Sequence, residues 1–227
     1  MKFDDAVSIL KRSDLGAGLA EHDFNRLAAI AHEKHIVAHE QLFRQKSQAG
    51  WVYVVTEGVM VLEKISCSGR RQVVAFLFPG DFLGFTHTKW FEYNALSLTP
   101  VSLLSFDREA FVDLVTDTPG LKDNISSISN HVLSRALDQI FALGQKRADE
   151  RLCFLIQQLK ERSPGEDPNL IRLPMSRQDI ADYLGLTMET VSRALAKLKS
   201  EEIIRDIKLS SLVIADPARL REMASLD

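Results

Sequence analysis

Seven apolar residues, Leu121, Ile125, Ile128, Val132, Ala136, Ile140 and Leu143, recur at steps of three and four. At about 3.6 residues per turn this spacing puts them all on one face of a single helix of about six turns. A helix of that length has little of its own chain to cover such a stripe. The stripe is therefore expected to be a coiled-coil seam between two copies of the chain; the alternative is that it packs on its own domain. The helix, set at 118–146, divides the 227 residues into a β-rich region before it and a small α-rich region after it.

Residues 1–32 have helical spacing, with Val7, Ile9, Leu10, Leu15, Leu19, Phe24, Leu27 and Ile30 as the apolar set. From about His35 the pattern changes. The runs 51–55 (WVYVV), 59–65 (VMVLEKI), 72–78 (QVVAFLF) and 97–106 (SLTPVSLLSF) are rich in β-branched and aromatic residues, and glycine-bearing turns separate them. Short strands with tight turns predict an antiparallel barrel or roll over 1–117. Strand signals stop at Asp107, and the chain reads as helix to about Arg162. The segment 161–170, with two prolines and a glycine, reads as a surface loop. The last unit spans 147–227 and closes with a strand and a short helix in 210–220. The fold class is α+β.

Apolar residues make up 45 % of the chain, enough to bury a core. The two cysteines, Cys67 and Cys153, are too few for a thiolate cluster and fit a reducing compartment. Cys67 is expected in an exposed turn and Cys153 on a packed helix face. No apolar run approaches the roughly 18 residues of a membrane span, and the N-terminus has no basic-then-apolar leader, so a cytoplasmic protein is expected. The formal charge of −3 argues mildly against a nucleic-acid partner unless charge is segregated.

The stretch SRQDIADYLGLTMETVSRALAKL, residues 176–198, supplies that segregation. Ser176 is a good helix cap with Asp179 three residues on. Ile180, Ala181 and Leu184 form one buried face. Gly185 ends the first helix in the left-handed conformation, Leu186 fills the corner, and Thr187 caps a second helix whose buried face is Val191, Leu195 and Leu198. Two helices on a tight glycine turn make a helix-turn-helix, whose second helix can enter a major groove. Glu189 and Arg193, four apart, share a face of that helix. A glutamate can accept from cytosine, an arginine can donate twice to guanine, and Ser192 can serve several bases. The plain alternative is an exposed ion pair. Over 187–199, Arg193, Lys197 and Lys199 oppose only Glu189, a local balance of +2. Ser176, Arg177, Thr187, Glu189, Thr190, Ser192, Arg193 and Lys197 are the expected contacts to double-stranded DNA.

These residues resemble the Crp/Fnr superfamily of bacterial transcription regulators, and in particular its Fnr/FixK branch, whose recognition helix carries E-x-x-S-R. That motif is Glu189 to Arg193 here. The segment 50–84, with turn glycines Gly58 and Gly69 and the element PGDFLG, is similar to the family's cyclic-nucleotide-binding-like β-roll, and the resemblance covers nearly the whole chain. It implies a roll, a long dimerisation helix and a C-terminal winged helix-turn-helix. It also implies a homodimer that reads a TTGAT-N4-ATCAA-like palindrome, with Glu and Arg addressing the G·C pair. Such a regulator works with RNA polymerase and activates genes of low-oxygen or nitrogen-oxide metabolism.

The departures concern the signal. The cyclic-nucleotide branch needs a Gly-Glu pair and then an arginine to clamp the phosphate. Here Phe85 follows Gly84, and no arginine lies between Arg71 and Arg108, so no cyclic nucleotide is expected. The N-terminus lacks the cysteines of the iron–sulfur branch. His32, His35 and His39 have a metal-like spacing but fall where helix gives way to strand, and His87 is the leading candidate for a single haem ligand if haem were bound. No metal or other cofactor is expected; a haem- or small-ligand-sensing regulator is the alternative. From other classes, a β-roll regulatory module of an enzyme complex would have no use for Glu189 and Arg193. A metal-dependent β-barrel enzyme would need paired histidines with a carboxylate, which the β region lacks.

Overall fold

The computed structural model describes residues 3–162, 167–208 and 210–225. The chain forms two compact units, Met1–Leu133 and Ser134–Asp227, which divide inside one long helix. Part of the expected loop 161–170 lies outside the described residues.

In the first unit, α1 (Phe3–Arg12) and α2 (Glu21–Ala29) precede the strands β1 (Ala31–Ile36), β2 (Gln41–Phe43), β3 (Trp51–Glu57), β4 (Met60–Ile65), β5 (Arg71–Leu77), β6 (Phe82–Leu83), β7 (Asn94–Ser97) and β8 (Val101–Asp107). Then come α3 (Arg108–Asp117) and the start of α4 (Pro119–Gln145). The strands form two antiparallel sheets in the orders β1-β8-β3-β6 and β2-β7-β4-β5.

The unbroken apolar run of β3 follows from burial on both faces. Successive strand residues point to opposite sides. Val52 and Val54 enter a core with Leu10, Phe24, Phe106 and Phe111, where helices cover the first sheet. Tyr53 and Val55 enter a second core with Phe43, Met60, Leu62 and Leu103, between the two sheets. Gly58, with φ +82°, makes the β3–β4 turn possible, because a Cβ there would lie 2.2 Å from the Pro100 carbonyl oxygen.

The expected change from helix to strand near His35 falls earlier, at Ala31. β1 is an edge strand with four exposed residues between its buried ends, so it shows no alternating apolar pattern. The histidine spacing therefore has strand geometry, where residues three apart point to opposite faces. His35 Nδ1 pairs with Ser102 Oγ at 3.0 Å, while His32 sits edge-on to Trp51. The spacing does not make one cluster.

The stripe of α4 also divides. Leu121 is 1 % exposed within the first unit's helical core, and Ile125 and Ile128 pack against that core. This corrects the expectation of one uniform seam. The first turns of α4 are covered by their own domain, because α1–α3 leave an apolar face there that Leu121 fills. From Val132 to Phe141 the apolar side chains are open: Val132, Leu133, Leu137, Ile140 and Phe141 are 47–65 % exposed, whereas Ala142 is buried and Leu143 half-buried. Leu133, Leu137 and Phe141 form a second ridge at steps of four, beside Val132, Ala136 and Ile140.

The second unit adds α5 (Ala148–Arg162), β9 (Leu170–Arg172), α6 (Arg177–Leu184), α7 (Met188–Ser200), β10 (Ile204–Lys208), β11 (Ser211–Ile214) and α8 (Pro217–Ala224) to the end of α4. The strands form a small antiparallel sheet in the order β10-β11-β9, the wing beside the helix pair. β9 was not foreseen, being three residues with a single buried side chain. Leu152, Ile156, Ile180, Leu184, Val191, Leu195 and Leu198 are buried on their helices, and Leu212 is buried on β11.

Candidate nucleic-acid interface

The helix pair is built by its caps. Ser176 and Asp179 form a complete capping box: Ser176 Oγ accepts from the Asp179 N–H at 3.1 Å, and the Ser176 N–H donates to Asp179 Oδ2 at 2.9 Å. Gly185 takes φ 62° and ψ 40°, the left-handed turn that stops α6. Leu186 is half-buried, and its N–H donates to the Ala181 carbonyl at 3.0 Å. Thr187 then caps α7 through the Thr190 N–H at 3.2 Å.

The expected contact residues take four kinds of position. Glu189, Ser192 and Arg193 are exposed on the first two turns of α7, whose opposite face is held by buried Val191, Ala194, Leu195 and Leu198. Arg193 Nη2 donates to Thr190 Oγ1 at 3.0 Å, so the guanidinium leans along the helix toward the capped end. The Glu189 carboxyl is held below the usual carboxylate range, first by its own backbone N–H and by Thr187, then by the charge of Arg193. It stays an acceptor at neutral pH.

Ser176 and Thr187 sit at the surface, but their hydroxyls are engaged in capping. Ser192 Oγ donates to the Met188 carbonyl at 3.0 Å. Arg177 is half-buried, and burial lowers its pKa.

Lys197 is exposed but already paired. Its ammonium is bound to Asp149 Oδ2 on α5, with Glu201 Oε1 at 3.9 Å. Burial alone would raise the Asp149 pKa, but the hydrogen bond and charge of Lys197, with Arg147, outweigh it and leave Asp149 below its ordinary value. The same hydrogen bond raises the Lys197 pKa. Lys197 is thus a tie between α7 and α5 rather than a free cation. The reason is the nearly buried Asp149 carboxylate, 8 % exposed, which needs a partner.

Three anchors escaped the sequence reading. Arg151 donates to the carbonyls of Leu143 at 2.7 Å, Lys146 at 2.8 Å and Leu184 at 3.0 Å, closing the ends of α4 and α6 together. Gln139 Nε2 donates to the Tyr183 carbonyl at 2.9 Å. Lys146 Nζ donates to the Met223 carbonyl at 3.1 Å and to that of Ser225. The final turns of α4 are thereby fastened to the helix-turn-helix. Only the charged residues scattered along the apolar helices hinted at this.

A roll followed by a long helix and a winged helix-turn-helix that exposes Glu189 and Arg193 defines a DNA-binding regulator. The comparisons with known proteins agree. Residues 33–118 match the model of the cyclic nucleotide-binding domain and residues 150–223 that of the Crp-like helix-turn-helix domain. The chain is 33 % identical over 218 residues to the nitrogen fixation regulation protein FixK of Bradyrhizobium diazoefficiens, covering 95 % of this chain and 92 % of that protein. It is 34 % identical over 213 residues to the transcriptional activatory protein AadR of Rhodopseudomonas palustris, covering 92 % and 87 %. The solved structure of FixK2 from Bradyrhizobium japonicum has a TM-score of 0.81 at 29 % identity, covering 86 % of this chain and 98 % of that one. A CooA mutant from Carboxydothermus hydrogenoformans shares the fold, with a TM-score of 0.72 at 23 % identity over 87 % of this chain and 89 % of that one. The chain belongs to the Crp/Fnr superfamily of transcription regulators, in its Fnr/FixK branch.

The interior of the roll is filled with side chains. Phe43 stacks on Phe91 with ring centroids 3.7 Å apart and on Tyr53 at 6.0 Å, and Tyr93 closes the group at 5.8 Å from Phe43. Among the described residues no helix is long and apolar enough to cross a membrane. Cys67 is exposed and Cys153 buried, both as free thiols.

Proposed function

We propose that the protein is a homodimeric activator that reads a TTGAT-N4-ATCAA-like palindrome, one half-site per α7, and works with RNA polymerase in the cytoplasm. The observation that carries this reading is the exposure of Glu189, Ser192 and Arg193 on the first two turns of a helix held from behind by its buried face. Base-reading side chains of a recognition helix belong at that end. The open double ridge from Val132 to Phe141 supports the dimer, since so many exposed apolar side chains on one stretch of helix call for a cover. Two such helices would stand one DNA turn apart, about 34 Å.

In this division of labour, 1–117 is the sensory or effector domain, 118–146 the dimerisation helix and 147–227 the DNA-reading domain. The names of two relatives, a transcriptional activatory protein and a nitrogen fixation regulation protein, support an activator; that its genes are those of low-oxygen or nitrogen-oxide metabolism rests on the resemblance to the Fnr/FixK branch. The packed roll and the missing phosphate-clamping arginine support activity without a cyclic nucleotide. A gel shift with a duplex carrying the palindrome tests the reading. Retardation at low salt, lost when the half-sites are scrambled, is expected; no retardation would contradict it.

A further inference from the structure

The β4–β5 hairpin carries a hollow of about 870 Å³ that the regulator's expected chemistry does not use. Lys46, Lys64, Arg70 and Arg71 line it, together with the thiol-bearing turn residue Cys67, and no carboxylate does. In a chain whose formal charge is −3, four cations around one hollow are a concentration of positive charge against the background. We propose that this hollow binds a small phosphorylated anion, a metabolite bearing a diphosphate or longer phosphate chain.

The cations are arranged rather than scattered. Arg71 is fixed at the side of the hollow by Glu63, a buried carboxylate that also accepts from Asn94 Nδ2 at 3.3 Å. That pair is internally neutral, so the field in the hollow comes from Lys46, Lys64 and Arg70. These three have no ion-pair partner among the described residues.

Arg70 is oriented by the hairpin itself. Its backbone N–H donates to Ser66 Oγ at 3.1 Å and its Nε to Ser68 Oγ at 3.2 Å, while the two hydroxyls bond each other at 2.9 Å. The terminal amino groups remain for the paired hydrogen bonds that suit a phosphate. Lys46 faces them from the loop after β2 with φ 67°, a left-handed conformation that is uncommon for a residue with a side chain. Its N–H donates to the Phe91 carbonyl at 2.7 Å, which pins the backbone in that conformation. The hollow is open to solvent at the hairpin, apart from the packed interior of the roll.

Cys67 provides a reporter confined to the site, because the other thiol, Cys153, is buried. The rate of Cys67 alkylation by iodoacetamide is followed by mass spectrometry with and without inorganic pyrophosphate, ionic strength being matched with sodium chloride. At about ten times Kd, pyrophosphate is expected to slow alkylation about tenfold. In Lys64→Gln combined with Arg70→Gln, both surface changes, the two rates should become equal, while Arg193→Ala should keep the full protection. If millimolar pyrophosphate leaves the wild-type rate unchanged, or protects the double variant equally well, the site is overturned. If polyglutamate protects where pyrophosphate does not, the hollow belongs to an acidic protein segment and the small-anion assignment fails.

Discussion

The Lys197 ammonium on α7 is bound to the Asp149 carboxylate on α5, so a lysine of the reading helix is used to hold that helix in place. A lysine engaged on phosphate contributes about 0.9 to the salt slope of DNA binding. Lys197→Ala should therefore change that slope by well under this amount while lowering the melting temperature. Affinity measured against salt concentration, alongside thermal unfolding, checks both. A slope flattened by about 1 with unchanged stability would return Lys197 to the phosphate contacts. The signs of the two pKa shifts set the pH window of the tie. Asp149, lowered, stabilises above its unfolded value and loses this as pH falls through its folded value. Lys197, raised, stabilises below its unfolded value and loses this as pH rises through its folded one. The tie is thus complete around neutrality.

The two parts of the α4 stripe should respond differently to substitution. Leu137 is 56 % exposed and Leu121 is 1 % exposed. Leu137→Glu should leave the monomer folded and break the dimer, giving a monomer in sedimentation and loss of palindrome binding. Leu121→Ala should instead open a cavity in the roll's helical core and cost about 2–5 kcal/mol of stability. A Leu137→Glu protein that stays dimeric would place the interface elsewhere.

Cyclic AMP at millimolar concentration should shift neither the melting temperature nor DNA affinity. A ligand at about 100 Kd would add about 2.7 kcal/mol, which a thermal scan detects readily. The aromatic stack of Phe43 and Phe91 stands inside the roll, and no arginine lies between Arg71 and Arg108 to meet a phosphodiester.

Alkaline pH should unfold the protein through its buried weak acids. Burial pushes Tyr53 and Tyr183 up to about 12 and raises Tyr93 from 10.0. Burial also pushes Cys153 from 9.0 to about 12. A raised folded value means stability that is whole below the unfolded pKa and lost as pH rises through the folded one. The melting temperature should fall between about pH 9 and 12. All three tyrosines are raised, so phenolate absorbance should appear together with unfolding. A phenolate titrating near 10 in the folded protein would contradict the burial of these rings.

What was legible in the sequence was whatever repeats or caps. The strand runs, the long helix that carries the stripe, Ser176 with Asp179, and Gly185 all carry local physics, and the structure forms each of these elements. What escaped depends on partners distant in sequence. Leu121 looks like Ile140 in a periodic stripe, and only the packing of α1–α3 distinguishes the buried residue from the open one. Lys197 looks like a free cation until α5 brings Asp149 to it, 48 residues away. The three carbonyls gathered by Arg151 come from two helix ends that no spacing rule connects. In the candidate site, the caps, the glycine turn and the buried face of α7 were legible, and the ties from Asp149, Gln139 and Arg151 were not.

The central claim, that Glu189 and Arg193 read one G·C pair, is tested most directly by a matrix of affinities. Wild type, Arg193→Ala and Glu189→Ala are each measured against four duplexes that differ only at that base pair, at fixed salt. Losing a bidentate arginine should cost Arg193→Ala about 1–3 kcal/mol on the consensus duplex and much less on the other three. Glu189→Ala should flatten the preference at the same position, because the carboxylate also repels wrong acceptors. If Arg193→Ala loses the same affinity on all four duplexes, Arg193 holds the phosphate backbone and the pair reads no base.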